Sequence, residues 1–174
     1  MSAIERAVAS RHITDRLFRA HEFTSAASIA CFLPMEDEVD TYPVFARAWR
    51  AKKRIFAPVI DRRGKMAFRR LDPETRLYRN SFGLWEPASQ ETIDPRQLDL
   101  VLTPLVAFDK NNNRIGMGGG YFDRCFAFLK PRRHWLRPKL FGLAFAVQEV
   151  EKIAPNPWDI RLYGIATQTT ISRL

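Results

Sequence analysis

Four stretches of this chain are apolar almost without a break, and that feature restricts the fold more than any other. They are Ser28 to Leu33, Arg54 to Ile60, Leu98 to Thr103 and Leu140 to Phe145. A strand turns successive side chains to opposite faces, so an unbroken run is stable only where both faces are buried. Met66 to Leu71 reads as a further strand after a turn at Arg62, Arg63 and Gly64, and Gly164 to Thr169 as the last. Pro34 and Pro104 end two of the runs, and Pro58 interrupts another near its end. Helical patterns lie between them. Ser2 to Ala20 spaces Ile4, Val8, Ile13 and Leu17 at loosely helical intervals, and Thr41 is placed to cap a helix reaching Lys52. Helix and strand alternate, which predicts an α/β fold with a mostly parallel central sheet covered on both sides. In such sheets ligands bind beyond the carboxyl ends of the strands. Chemistry is therefore expected after Leu33, Thr103 and Phe145.

A chain of 174 residues suits one domain, 1–174, large enough to bury a core. No apolar run approaches the roughly 20 residues that span a bilayer. Met1 to Arg11 lacks the apolar stretch of a signal peptide, so a cytoplasmic protein without a membrane partner is expected. Cys31 and Cys125 have apolar neighbours and no metal-ligand spacing. They read as small core thiols in a reducing compartment rather than as a disulfide or a metal site. A net charge of +9 suits an anionic partner. Nucleic acid is one such partner; nucleoside triphosphates and polyglutamylated cofactors suit the same field. The basic residues are spread along the chain, with a local cluster only at Arg132, Arg133, Arg137 and Lys139. Charge alone does not choose.

The most informative segment follows the third run. It reads Phe108-Asp109-Lys110-Asn111-Asn112-Asn113-Arg114-Ile115-Gly116-Met117-Gly118-Gly119-Gly120-Tyr121-Phe122-Asp123-Arg124. Four glycines in five residues remove every Cβ except that of Met117, so backbone amides can approach an anion closely. Phosphate is the obvious guest. No Gly-Lys-Ser/Thr ends the loop and the dinucleotide spacing is also wrong, which excludes both common phosphate fingerprints. A bare glycine run is more often a flexible turn; here the flanks decide.

The segment resembles the signature of the 5-formyltetrahydrofolate cyclo-ligases, Phe-Asp…Arg-Leu-Gly-x-Gly-x-Gly-Tyr-Tyr-Asp-Arg. Phe108, Asp109, Arg114, Gly116, Gly118, Gly120, Tyr121, Asp123 and Arg124 match it, with Ile115 for Leu and Phe122 for the second Tyr. Further resemblances run in family order from Ala26 to Thr169. They are Phe32 to Thr41, Gly83-Leu84-Trp85-Glu86-Pro87, Asp99 to Pro104, Gly142 to Phe145 with Gln148, and Pro157-Trp158-Asp159. The resemblance implies a three-layer α/β sandwich of the sugar-isomerase and CoA-transferase type. It also implies cyclisation of 5-formyltetrahydrofolate to 5,10-methenyltetrahydrofolate with ATP as co-substrate and Mg²⁺ as cofactor.

By the same resemblance Arg114, Gly116, Met117, Gly118, Gly119, Gly120, Tyr121, Phe122, Asp123 and Arg124 would bind ATP. Arg114, Tyr121 and Asp123 would be catalytic, and Asp123 and Asp159 would ligate Mg²⁺. Leu33, Glu38, Trp85, Gly119, Gly120, Tyr121 and Phe122 would hold the reduced folate, Glu38 accepting the pterin N–H groups. Each has a plainer alternative: a turn cap for Asp159, a solvated acid for Glu38, core packing for Tyr121, Phe122 and Trp85. His12, His21 and His134 lie outside every motif and read as surface residues.

Family members begin with a basic helix that reaches the ATP phosphates, and some carry Lys where Gly119 stands. This chain opens Met1-Ser2-Ala3-Ile4-Glu5-Arg6, within or just after that helix, with Arg6 and Arg11 its early cations. Weak ATP binding is therefore expected, unless the start lies upstream or the Arg132 to Lys139 cluster substitutes. A non-catalytic folate- or RNA-binding protein on this fold, and an enzyme acting on another nucleotide-activated amide, are the alternatives. The joint presence of Glu38, Asp123 and Asp159 argues against a nucleic-acid surface. No obligatory nucleic acid is expected, and the protein would be a monomer or homodimer.

Overall fold

The unbroken runs become the centre of one sheet. The structure, a computed structural model, describes residues 1–61, 63–131 and 137–174. In chain order come helices α1 (Ala3–Arg19) and α2 (His21–Ser25), strand β1 (Ser28–Cys31) and helix α3 (Tyr42–Arg50). Strands β2 (Arg54–Ile60) and β3 (Met66–Arg70) follow, then a hairpin of β4 (Leu77–Arg79) and β5 (Trp85–Pro87). After β6 (Thr92–Ile93) and β7 (Leu100–Thr103), a second hairpin, β8 (Ala107–Phe108) with β9 (Arg114–Ile115), leads into α4 (Tyr121–Cys125). Strands β10 (Lys139–Leu143), β11 (Gly164–Ala166) and β12 (Ile171–Arg173) come last.

The main sheet runs β12-β11-β10-β7-β1-β2-β3-β6. Its middle five strands, β11 to β2 in that order, are parallel, and the flanking β12, β3 and β6 pair antiparallel. Successive residues of the runs feed two separate cores, as both-face burial requires. Ile29, Cys31, Ile55, Leu100, Leu102 and Phe141 face one, with Ile13 and Leu17 of α1 and Val44 and Phe45 of α3. Ala30, Phe56, Val101 and Leu140 face the other, with Phe126, Ile160 and Leu162. The result is a three-layer α/β sandwich in which short helices and ordered loop cover the second face. Among the described residues no helix is long and apolar enough to cross a membrane.

Helix α1 departs from its expected face. Ser2 caps it in a capping box, accepting from the Glu5 amide at 3.2 Å while its own amide donates to Glu5 Oε2 at 2.6 Å. Ala9, Ser10, Ile13, Thr14 and Leu17 are buried. Ile4 and Val8 are 78% and 52% exposed. The five-residue step from Val8 to Ile13 turns the helix about 140° past whole turns, so the two apolar pairs cannot share a face. Thr41 also departs. It precedes α3 but makes no side-chain cap; its hydroxyl donates to the Phe32 carbonyl at 2.8 Å. Asp40 Oδ1 accepts from the Tyr42 amide instead, at 3.0 Å.

Both cysteines are free. Cys31 is buried and Cys125 partly so, with burial pushing the Cys125 thiol up to about 11. His12 and His21 are exposed, while Arg62, Arg132, Arg133 and His134 lie outside the described residues. The α1 geometry predicts a sharp contrast on urea unfolding. Leu17→Ala should cost about 2–5 kcal/mol and Ile4→Ala no more than about 0.5 kcal/mol.

Candidate active site

Asp109 organises the approach to the glycine loop. Its carboxylate, buried behind β8, accepts from the Asn111 and Asn113 amides at 2.9 and 3.0 Å, and from Asn113 Nδ2 at 3.0 Å. It also accepts from the Ile153 amide at 3.0 Å, which fastens a distant segment to the same point. Burial pushes this carboxyl up, but the Asn113 side chain and the Ile153, Asn113 and Asn111 amides outweigh it, and it titrates below the ordinary carboxylate range. The turn it closes places Asn112 in the left-handed region at φ 58°, which Asn tolerates.

Beyond β9 the chain is locked again. Arg114 Nη2 donates to Asp123 Oδ1 at 3.0 Å and Nη1 to the Ile160 carbonyl at 2.6 Å, while the Ile160 amide donates to Asp123 Oδ1 at 2.9 Å. The Arg114 and Asp123 side chains are 5% and 18% exposed. Between these anchors runs the glycine loop. Gly118 and Gly120 take φ of +88° and +59°, where other residues would be strained. A Cβ at Gly116 would meet nothing, so its missing side chain leaves open space.

The loop is a shared wall between two clefts. One, of about 420 Å³, lies beyond the carboxyl ends of β1, β2 and β7, reached at Leu33, Ile60 and Pro104. Leu33, Glu38, Trp85, Gly119, Gly120, Tyr121 and Phe122 all line it, together with Met117, Phe82 and Leu84. Glu38 Oε2 accepts from the Met35 amide at 2.8 Å. Burial nevertheless holds the Glu38 carboxyl above its ordinary range, the Met35 amide opposing it. Glu86, in the floor, accepts from the Ile60 amide, Asn80 Nδ2 and the Tyr78 hydroxyl at 3.1, 2.7 and 2.9 Å. Those bonds hold the β4–β5 hairpin, and with it Trp85, over the cavity.

The other cleft, of about 1250 Å³, is lined by Arg114, Gly116, Gly118, Gly119, Gly120, Asp123 and Arg124 on the loop side. Val150, Lys152, Ile153, Ala154 and Asn156 to Asp159, following β10, form the opposite wall, and Lys130 lines the cleft beside them, its Nζ donating to the Pro157 carbonyl. Met117, Tyr121 and Phe122, grouped by sequence with the ATP residues, line only the smaller cavity. Phe122 stacks on Phe126 at 6.3 Å between centroids, so it serves the core as well. Arg137 pairs with Asp99 at 2.8 Å and Lys139 lies 3.9 Å from Glu22, so these two members of the expected basic cluster are committed to structural acids. Lys130 and Lys152 were missed by the sequence reading. No motif marks them, and only the fold brings them to the loop.

Asp123 and Asp159 line one cleft. Asp159 Oδ2 accepts from the Asn156 amide at 2.7 Å, as a turn cap does, and Asp123 is bonded through Oδ1. Each keeps a second oxygen without a hydrogen bond among the described residues. Two such oxygens fit a Mg²⁺ held mainly by phosphate and water. Among the described residues no three His, Cys, Asp or Glu converge as a protein-only metal site.

The sequence model of the 5-formyltetrahydrofolate cyclo-ligase family matches residues 1–168. The 5-formyltetrahydrofolate cyclo-ligase of Haemophilus influenzae is 32% identical over 95% of this chain and 88% of its own. That of Escherichia coli K12 is 35% identical over 84% of this chain and 80% of its own. Among solved structures, 5,10-methenyltetrahydrofolate synthetase from Aquifex aeolicus superposes with a TM-score of 0.84 at 28% identity, covering 99% of this chain and 84% of that one.

The Asp109 carboxylate generates a prediction of its own. Asp109→Ala strands buried N–H donors and should cost about 3 kcal/mol or more on urea unfolding. A depressed carboxyl stabilises above its ordinary range and loses that stability as pH falls through the native value. The variant should therefore lose less stability than the parent between neutral and acid pH. Parallel pH profiles would contradict the assignment.

Proposed function

This chain belongs to the 5-formyltetrahydrofolate cyclo-ligase family, and on that premise we propose that it closes 5-formyltetrahydrofolate to 5,10-methenyltetrahydrofolate with ATP. The observation that carries the reading is the glycine loop standing between an apolar cavity with a carboxylate and a larger cleft lined by Arg124, Lys130 and Lys152. A reaction that moves a phosphoryl group onto a folate needs the two substrates in direct contact at an edge that both cavities share. Glycines carry no side chain to close that edge.

The folate enters the smaller cavity, pterin between Tyr121 and Trp85, with Glu38 accepting its N–H groups. The triphosphate lies along the loop in the larger cleft, its charge met by Lys130, Lys152 and Arg124 and by loop amides. The formyl oxygen takes the γ-phosphoryl group, ADP departs, nitrogen 10 attacks the activated carbon and gives up its proton, and inorganic phosphate leaves carrying that oxygen. No protein nucleophile is required, so alignment and charge neutralisation supply most of the acceleration. Arg114, neutralised by Asp123 and tied to Ile160, holds the loop in place where it borders both clefts. Asp123 and Asp159 would hold Mg²⁺, which when bound neutralises charge on the phosphates.

Purified protein with ATP, Mg²⁺ and 5-formyltetrahydrofolate should give the methenyl absorbance, and none without ATP. Absence of signal at saturating substrates would refute the reading. Gly116→Ala is the cleaner loop probe, because Gly120 has positive φ and its Cβ would lie 3.0 Å from Arg124 Nη1. Gly116→Ala should leave stability within about 0.5 kcal/mol and raise the KM for ATP. Unchanged kinetics would remove the loop from the phosphate site.

Glu38 carries a pH signature. Its native carboxyl lies above the unfolded value, so the free protein loses stability as pH rises through the window between them. Glu38→Gln should remove that loss while raising the KM for folate about ten- to a hundredfold. A variant with unaltered folate KM would show that Glu38 does not touch the pterin.

A further inference from the structure

Phe82 stands in the turn of the β4–β5 hairpin, 67% exposed, and lines the smaller cavity. Met117, in the glycine loop, lines the same cavity at the same exposure. Single exposed apolar side chains are ordinary on a protein surface. Here they gather on one rim, because Leu84 and Trp85, half-buried beside Phe82, line that cavity as well. Arg79 packs 4.9 Å over the Trp85 ring. Among the described residues neither ring nor cation packs on Phe82.

The backbone that carries Phe82 is fixed. The Glu86 carboxylate accepts from the Ile60 amide of β2, which ties the hairpin to the main sheet, and from Asn80 Nδ2. Asn80 Oδ1 in turn accepts from the Phe82 and Leu84 amides at 2.9 and 3.0 Å. A line of bonds thus runs from the sheet through Glu86 and Asn80 to the residue that bears the ring. The turn holds Phe82 at the cavity while its side chain stays open to solvent.

The proposed reaction gives that position a task. It passes through a folate whose formyl oxygen carries phosphate. Water can add to the formyl carbon of that species and give up both its protons. Phosphate then leaves with the original oxygen, and 5-formyltetrahydrofolate re-forms with an oxygen from water. ATP is hydrolysed and no ring is closed. Nitrogen 10 must reach the carbon before water does.

We propose that Phe82 closes over the bound folate and keeps water from the activated formyl carbon. The inference rests on the reading of the smaller cavity as the folate site. Packing the ring against a bound folate removes apolar surface of both from water, which favours closure once the substrate is in place. Excluding water from a reactive intermediate suppresses its hydrolysis.

The coupling of ATP use to ring closure tests the assignment. In ¹⁸O-labelled water with ATP, Mg²⁺ and 5-formyltetrahydrofolate, the parent protein should release phosphate and methenyl product in equal amounts. Its unreacted 5-formyltetrahydrofolate, recovered during the first turnovers, should carry no label. Phe82→Ala should unfold at the same urea concentration as the parent, release roughly twofold or more phosphate per methenyl product, and put label into the recovered folate. Phe82→Leu keeps an apolar cover and should keep phosphate and product close to equal. Equal phosphate and product in Phe82→Ala, with no label in the folate, would overturn the assignment. So would excess phosphate with unlabelled folate, which would place the water at phosphorus rather than at the formyl carbon. A parent protein that forms no methenyl product would refute the folate reading of the cavity, and the role of Phe82 with it.

Discussion

The buried pair of Arg114 and Asp123 is the interaction on which the site depends. Each partner alone would be a charge withdrawn from water, at a cost of several kcal/mol, so neither is tolerable without the other. Together they do more than neutralise. Arg114 begins the glycine loop and Asp123 lies just beyond it, so the bond closes the loop at its base. Both also hold Ile160, through its carbonyl and its amide, and that brings the far wall into the same knot. A loop of four glycines has high conformational entropy. Clamping its two ends leaves it thin without leaving it loose.

Much of this was legible in the residues. Unbroken apolar runs alternating with helical patterns pointed to a mostly parallel sheet covered on both faces. The rule that ligands sit beyond the carboxyl ends pointed to the segments after Leu33, Thr103 and Phe145, and all three line the clefts. The folate candidates, drawn from segments far apart in sequence, meet in one cavity. What stayed hidden was hidden for physical reasons. Periodicity alone does not say which apolar pair of α1 meets the sheet. Thr41 has a capping residue's identity, but its hydroxyl finds a nearer acceptor in Phe32. Lys130 and Lys152 belong to no motif. They matter because folding places them across from the loop.

Some of the basic residues are paired with acids. Arg6, Arg70, Arg137 and Arg173 pair with Asp37, Asp72, Asp99 and Glu22. Arg173 grips the buried Glu22 through two nitrogens, tying the last strand to α2. Arg137 and Arg173 thus join segments far apart in the chain. Arg124, Lys130 and Lys152 face the larger cleft instead, and their field is what a polyanion entering it would meet. Positive charge in this chain thus does two separate jobs, and net charge alone does not distinguish them.

In the proposed reaction a phosphoryl group passes from ATP in the larger cleft to the formyl oxygen of the folate in the smaller one, beside the glycine loop that lines both. The most direct test follows that oxygen. With 5-formyltetrahydrofolate labelled with ¹⁸O in the formyl group, one labelled oxygen should appear in inorganic phosphate for each methenyl product formed. Phosphate released without the label, alongside methenyl product, would contradict it.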